Sequence, residues 1–176
     1  RKHFEYKSKA RFLNLPLVHI NAGRGAYRAK GIIAIGNIAT GIFAIGIVSI
    51  GVISFGALSL GLLLALGGLS LGAVAGGGIA IGLLAAGGLS FGYLSIGGAS
   101  FGAYAVGGYA KAKYIALGGY TDGIIAIGER AKGTYTLLTG EISSIDDAAK
   151  SIEAAISVYL PKTNQMIAQF FLSFFR

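Results

Sequence analysis

The sequence predicts a single, mainly β repeat domain, and three observations carry that expectation. Glycine supplies thirty of the 176 residues and returns at every fifth position through most of the chain. From Gly31 to Ala110 there are eighty residues without one charged side chain. Those eighty residues include 22 glycines, and each interior glycine costs a helix about 1 kcal/mol relative to alanine. A length of 176 residues suits one domain with a core of its own. Without cysteine there is neither a disulfide framework nor a thiolate metal site.

The rival reading of the apolar stretch is a bundle of transmembrane helices. Glycines five apart step about 140° around a helix, so they make no constant packing face of the small-xxx-small kind. Eighty residues without charge also leave no polar loops in which helices could turn. The repeat reading is therefore preferred.

The period itself runs from Gly31 through Gly36, Gly41, Gly46, Gly51 and Gly56 to Gly61. One inserted residue shifts its phase, and it resumes from Gly67 to Gly107. Ala112 takes the next place, a second insertion follows, and Gly118, Gly123, Gly128 and Gly133 continue the series. That makes 21 pentads, and weaker units beginning at Pro16, Asn21 and Ala26 extend the count to 24. Each unit reads glycine, variable, large apolar, Ala or Ser, then usually large apolar, as in Gly51-Val52-Ile53-Ser54-Phe55.

Charge tolerance gives a register. The third slot holds residues such as Ile33, Phe43, Ile53, Leu63, Leu84 and Tyr104, and only Arg28 and Arg130 break it. The fifth slot accepts Lys30, Lys111, Asp122 and Lys132, and the second accepts Lys113 and Glu129. Burying an unpaired charge costs several kcal/mol, so slots two and five are expected to face outward and slots one and three to fill the core.

These units resemble the pentapeptide-repeat family, in which a small residue is followed two positions later by a large inward one. The resemblance covers roughly residues 16–136 and implies a right-handed quadrilateral β-solenoid, four pentads to a coil and about six coils in all. The Ala-Ile-Gly and Ser-Ile-Gly wording also resembles uncharacterised bacterial glycine-rich repeat proteins. Acidic members of the pentapeptide-repeat family mimic DNA, but the apolar outward slots here remove the basis for that.

On this register the middle of the solenoid wears an apolar belt over residues 31–110. Its fifth-slot residues are Ile35, Ile45, Ile50, Phe55, Leu60, Leu71, Phe91, Ile96 and Phe101. Four coils of belt would stand roughly 19 Å tall at the spacing of strands in a sheet. So large an exposed apolar surface marks an interaction face. The leading expectation is a non-enzymatic structural protein that self-associates through this belt into an oligomer or filament. The alternative is a membrane-embedded or membrane-associated solenoid scaffold, whose charge-free 19 Å falls short of a ~30 Å hydrocarbon core, although the weakly charged outer coils bring it to about 29 Å. The three phenylalanines are expected on three different walls. A membrane-associated place or a cell-surface or extracellular assembly follows from either reading.

Three regions are expected: a basic arm over 1–15, the repeats over 16–136 and a helical cap over 137–176. The arm carries Lys2, Lys7, Lys9 and Arg11 among aromatic residues, and residues 1–30 hold eight bases against one acid. It suits a strand covering the first coil or a patch for anionic lipid. Nucleic acid is not an expected partner, since the charge lies in a short arm and not on a face. Near the other end, Ser144-Ile145-Asp146-Asp147 reads as a helix start and Pro161 as a stop. A second helix, about 164–175, would present Met166, Ile167, Phe170, Phe171, Phe174 and Phe175 as a capping or anchoring face. Both helices are expected to cover the exposed strand edge of the last coil.

No catalytic, cofactor or metal constellation is visible. His3 and His19 have no partners at ligand spacing, and the slot-four serines have no base near them in sequence. Neither a cofactor nor a small-molecule substrate is expected.

Overall fold

A computed structural model describes residues 4–9, 11–12, 15–23, 25, 27–141 and 145–160. The protein is mainly β with one short helix near its C-terminus. Four short strands come first: β1 (Phe4–Lys7), β2 (Arg11–Phe12), β3 (Leu15–Pro16) and β4 (Val18–Ala22). Extended structure then runs without a break through β5 (Arg28–Leu138), 111 residues long. A 3-10 turn (Thr139–Glu141) leads towards α1 (Ile145–Tyr159). The helix bounds match the capping signal and the proline stop; the second expected helix lies outside the described residues.

The chain divides into two compact units, Arg1–Gly92 and Tyr93–Arg176. In the first, β1 pairs antiparallel with β4, setting Lys7 opposite His19 and Glu5 opposite Asn21. β4 in turn pairs parallel with the start of β5, Val18 beside Ile33 and Asn21 beside Gly36. Strands β2 and β3 form a separate antiparallel pair.

The glycines of β5 reveal how so long an extended segment packs. A Cβ added to Gly41 would collide with the carbonyl oxygen of Gly31, and one on Gly51 with that of Gly41. The same holds for Gly46 against Gly36, Gly82 against Gly72 and Gly92 against Gly82. Within the second unit it holds for Gly107 against Gly97 and Gly128 against Gly118. Backbones ten residues apart are thus in direct contact, where four pentads to a coil would bring together backbones twenty apart. Each sequence insertion appears as two steps of eleven, Gly56 to Gly67 and Gly61 to Gly72 at the first, Gly107 to Gly118 and Ala112 to Gly123 at the second. At the first, the extra residue bulges locally, since a Cβ on Gly61 would meet the carbonyl of Leu64. Gly77 stands at φ 152°, a conformation open to glycine alone, where it crosses Gly67.

Burial corrects the expected register. The innermost residues are those of slot four: Ala34, Ala39, Ala44, Ser49, Ser54, Ser59, Ser90 and Ser95 are all fully buried. The large third-slot side chains of the first unit are not core, since Phe43 is 44% exposed, Leu63 57% and Leu84 46%. The physical reason is width. Where glycine backbones touch, the interior has room for Gly, Ala and Ser but not for Leu or Phe. The absence of charge in slot three reflected an apolar exterior and not depth inside the fold.

In the second unit, third-slot Tyr104 and Ile125 are fully buried. They share a cluster with Ile115, Ile127 and the α1 face of Ile152, Ala155 and Ile156, which Leu160 completes. The α1 contact therefore draws on residues from 104 to 127, more than two ten-residue repeats.

Candidate functional site

The site the sequence points to is the apolar exterior of β5, and it is larger than the belt expected from slot five. Of the named belt residues, Ile45, Ile50, Phe55, Leu71, Phe91 and Ile96 are exposed, while Ile35, Leu60 and Phe101 are half-buried. Slot two adds Ile47, Leu62 and Leu83, each at least 60% exposed. Slot three adds Phe43, Leu63, Leu69, Val74, Ile79 and Leu84, which sequence reasoning had placed inside. Alternation explains slots three and five, and slot two, outward beside slot three, breaks it. A strand sends successive side chains to opposite sides, so a buried fourth residue leaves the third and fifth outward. The signal in the sequence was the run of Ala or Ser in slot four, broken at places such as Leu64, Ile115 and Thr121, which suits a narrow interior without by itself requiring one.

Inside, the slot-four hydroxyls divide into two groups. Ser70, Ser95, Ser100 and Thr121 each donate to the carbonyl oxygen nine residues ahead, at 3.3 to 3.5 Å. Ser49, Ser54, Ser59 and Ser90 have buried hydroxyls without a hydrogen-bond partner. Nothing in either group has the base and orienting acid that a nucleophilic serine needs. Among the described residues, no three His, Cys, Asp or Glu side chains come together to hold a metal.

The second unit presents a different exterior. Tyr109 and Tyr120 stack face to face with centroids 5.1 Å apart and an interplanar angle of 4°. Phe101 lies 5.8 Å from Tyr109. Lys111, the first charge after the apolar run, stands 3.7 Å from Asp122, the first acid after it. Tyr104 is packed against Tyr93 and Tyr114, and burial followed by the neighbouring Tyr93 pushes its phenol well above the ordinary tyrosine range.

The basic arm is partly ordered by pairing. Lys7 reaches the Glu5 carboxylate at 2.7 Å, and that bond holds Glu5 below the usual carboxylate range. Lys9 is exposed, and Arg11 begins β2. Lys2, His3 and the face of Met166, Ile167, Phe170, Phe171, Phe174 and Phe175 lie outside the described residues. Among the described residues, no helix is long and apolar enough to cross a membrane. No family model, curated protein or solved structure matches the chain.

Proposed function

We propose that the chain is a non-enzymatic scaffold whose first unit is a narrow β-solenoid, two pentads to a coil, embedded in a lipid bilayer. The observation that carries this reading is the ten-residue spacing of the backbone contacts. From Gly31 the first-unit column runs through Gly41 and Gly51, past the bulge at Gly61, and on through Gly72 and Gly82 to Gly92, six steps of which five show the direct backbone contact. At the ~4.8 Å spacing of paired strands, six steps span about 29 Å. That equals the ~30 Å thickness of a hydrocarbon core. The 19 Å that argued against insertion belonged to coils twice as long.

Three further properties support the reading. No charge occurs between Gly31 and Gly92, so no collar interrupts those six steps. Alternate pentads face opposite sides in such a coil, which puts Phe55 and Phe91 on two faces where three walls were expected. Apolar side chains then surround the unit, as in a body solvated by lipid on every side. Finally, a membrane tolerates only structures whose backbone groups are paired internally. Coils stacked on coils, with β4 and β1 paired onto the first, meet that demand over most of their length.

Lateral self-association remains the second reading, and one observation favours it. In the second unit the third-slot residues Tyr104 and Ile125 are covered by protein, in one cluster with Ile152, Ala155 and Ile156 of α1. A second copy could cover the first unit in the same manner. Flotation of the full chain with liposomes, followed by a carbonate wash, separates the two. A bilayer-embedded unit stays with the lipid after the wash. Pelleting as a lipid-free assembly would overturn the bilayer reading and leave self-association standing.

A further inference from the structure

We infer that the N-terminal end of the first unit carries a phosphate-binding pocket built from Lys7, Arg28 and Lys30. Its assignment to a phospholipid headgroup, though not the pocket itself, rests on the bilayer reading. A cavity of about 440 Å³ opens there, and these three cations line it together with His19 and Pro16. The fold brings them together from two distant stretches. Lys7 ends β1 and sits opposite His19 across the antiparallel pair. Arg28 and Lys30 open β5 on either side of the fully buried Ala29, so alternation sends both side chains to one outward face.

The backbone under these cations is clamped from below. His19 and Asn21 are the two buried residues of β4. The Asn21 amide donates to the Arg28 carbonyl at 3.2 Å. The Lys30 N–H donates to Nδ1 of His19 at 2.9 Å. The same Nδ1 lies 3.1 Å from the Lys30 carbonyl oxygen, so the Lys30 backbone holds the ring in place. Nε2 is buried with no hydrogen-bond partner, and the nearest carboxylate oxygen, on Glu5, is 3.5 Å away.

The chemistry is one-sided. The Arg28 guanidinium and the Lys30 ammonium offer protons and two positive charges, and Lys7, which also holds the Glu5 carboxylate at 2.7 Å, adds further donors. A ligand matching that set needs several acceptor oxygens and about two negative charges, which is a phosphate group. The pocket also lies where Arg28 and Lys30 give way to the charge-free stretch beginning at Gly31. In a bilayer that boundary falls at the headgroup phosphates.

Titration of the full chain in a phosphate-free detergent, with inorganic phosphate in one arm and phosphatidic acid in mixed micelles in the other, tests the pocket. Arg28→Gln and Lys30→Gln are each expected to weaken binding about tenfold, the loss of one charge-assisted contact. Lys132→Gln, an exposed cation of the second unit, should leave it unchanged. Thermal unfolding should be the same for all three variants, since none of these side chains is buried. Tighter binding of phosphatidic acid than of free phosphate assigns the headgroup; equal binding assigns a free phosphate site. Absence of binding in both arms, or an equal loss from Lys132→Gln, overturns the proposal. Because the inorganic arm needs no membrane, a chain that fails to float yet binds phosphate sinks the bilayer reading alone.

Discussion

Individual residues of β5 are under two separate constraints, closeness and dryness. Closeness governs glycine. A methyl group on Gly51 must displace the Gly41 carbonyl, which lies directly against it. Gly51→Ala should therefore cost about 2 kcal/mol or more, the scale of overpacking in a close-packed interior. Gly140→Ala is the control, since nothing lies within 4 Å of a Cβ there, and it should shift stability by no more than about 0.5 kcal/mol. Denaturant unfolding of both variants in detergent checks the contrast, and equal losses would refute the contact map. Dryness governs serine. Ser95 spends its hydroxyl on the Tyr104 carbonyl at 3.3 Å, whereas Ser54 buries one without a partner. Ser95→Ala should cost about 1 kcal/mol, and Ser54→Ala should be neutral or stabilising, because a buried unpaired hydroxyl is removed. The same unfolding measurement separates them; matching losses would mean that Ser54 has a partner after all.

At the scale of elements, α1 decides which part of the exterior is covered. Its Ile152, Ala155 and Ile156 join Tyr104, Ile115 and Ile125 in one cluster, and Tyr135 meets Tyr159 at 6.3 Å. Burial raises the Tyr104 phenol, so its neutral form is favoured in the folded chain. The sign follows from linkage. Below the ordinary tyrosine value near pH 10 both folded and unfolded chains keep the proton, and the contribution is fully present. Above that value the unfolded chain releases the proton first, so stability falls as pH rises. In an alkaline titration followed by phenolate absorbance, Tyr104 should ionise only as the second unit opens. Ile156→Asp, which puts a charge into the cluster, should return Tyr104 to titration with the other tyrosines. A Tyr104 that ionises near pH 10 in the intact chain would show that α1 does not seal this cluster.

For the molecule as a whole, the distinction between lipid and protein around the first unit is a matter of depth. In a bilayer, an outward cation costs about 2–4 kcal/mol at the midplane and about 0–1 kcal/mol near the interface. Leu62 lies midway between Gly31 and Gly92 and is 73% exposed, whereas Ile35 is in the first pentad of the column. Leu62→Arg should therefore abolish carbonate-resistant flotation, and Ile35→Arg should largely preserve it. A belt covered by neighbouring copies in water has no such gradient along its axis. Equal effects at the two positions would thus favour the assembly reading.

Much of this was determined by the sequence alone. The β class, the five-residue period, both insertions, the charge-free run and the start and stop of α1 follow from local chemistry, because glycine spacing, capping residues and proline act over a few residues. Slot five was correctly read as outward at Ile45, Phe55 and Phe91. What only the tertiary structure decided was distance through the fold. Ten-residue contacts between glycine backbones, the exposure of Phe43 and Leu63, and the burial of Ser54 all depend on how closely one pass of chain lies against another. Local pattern cannot set that separation, since the same pentad fits a wide coil filled by its third residue or a narrow one filled by its fourth. The convergence of Lys7 with Arg28 and Lys30 was equally hidden, because strand pairing and not sequence proximity joins them. The side chains name the surface, and the spacing of the backbone decides which of them form it.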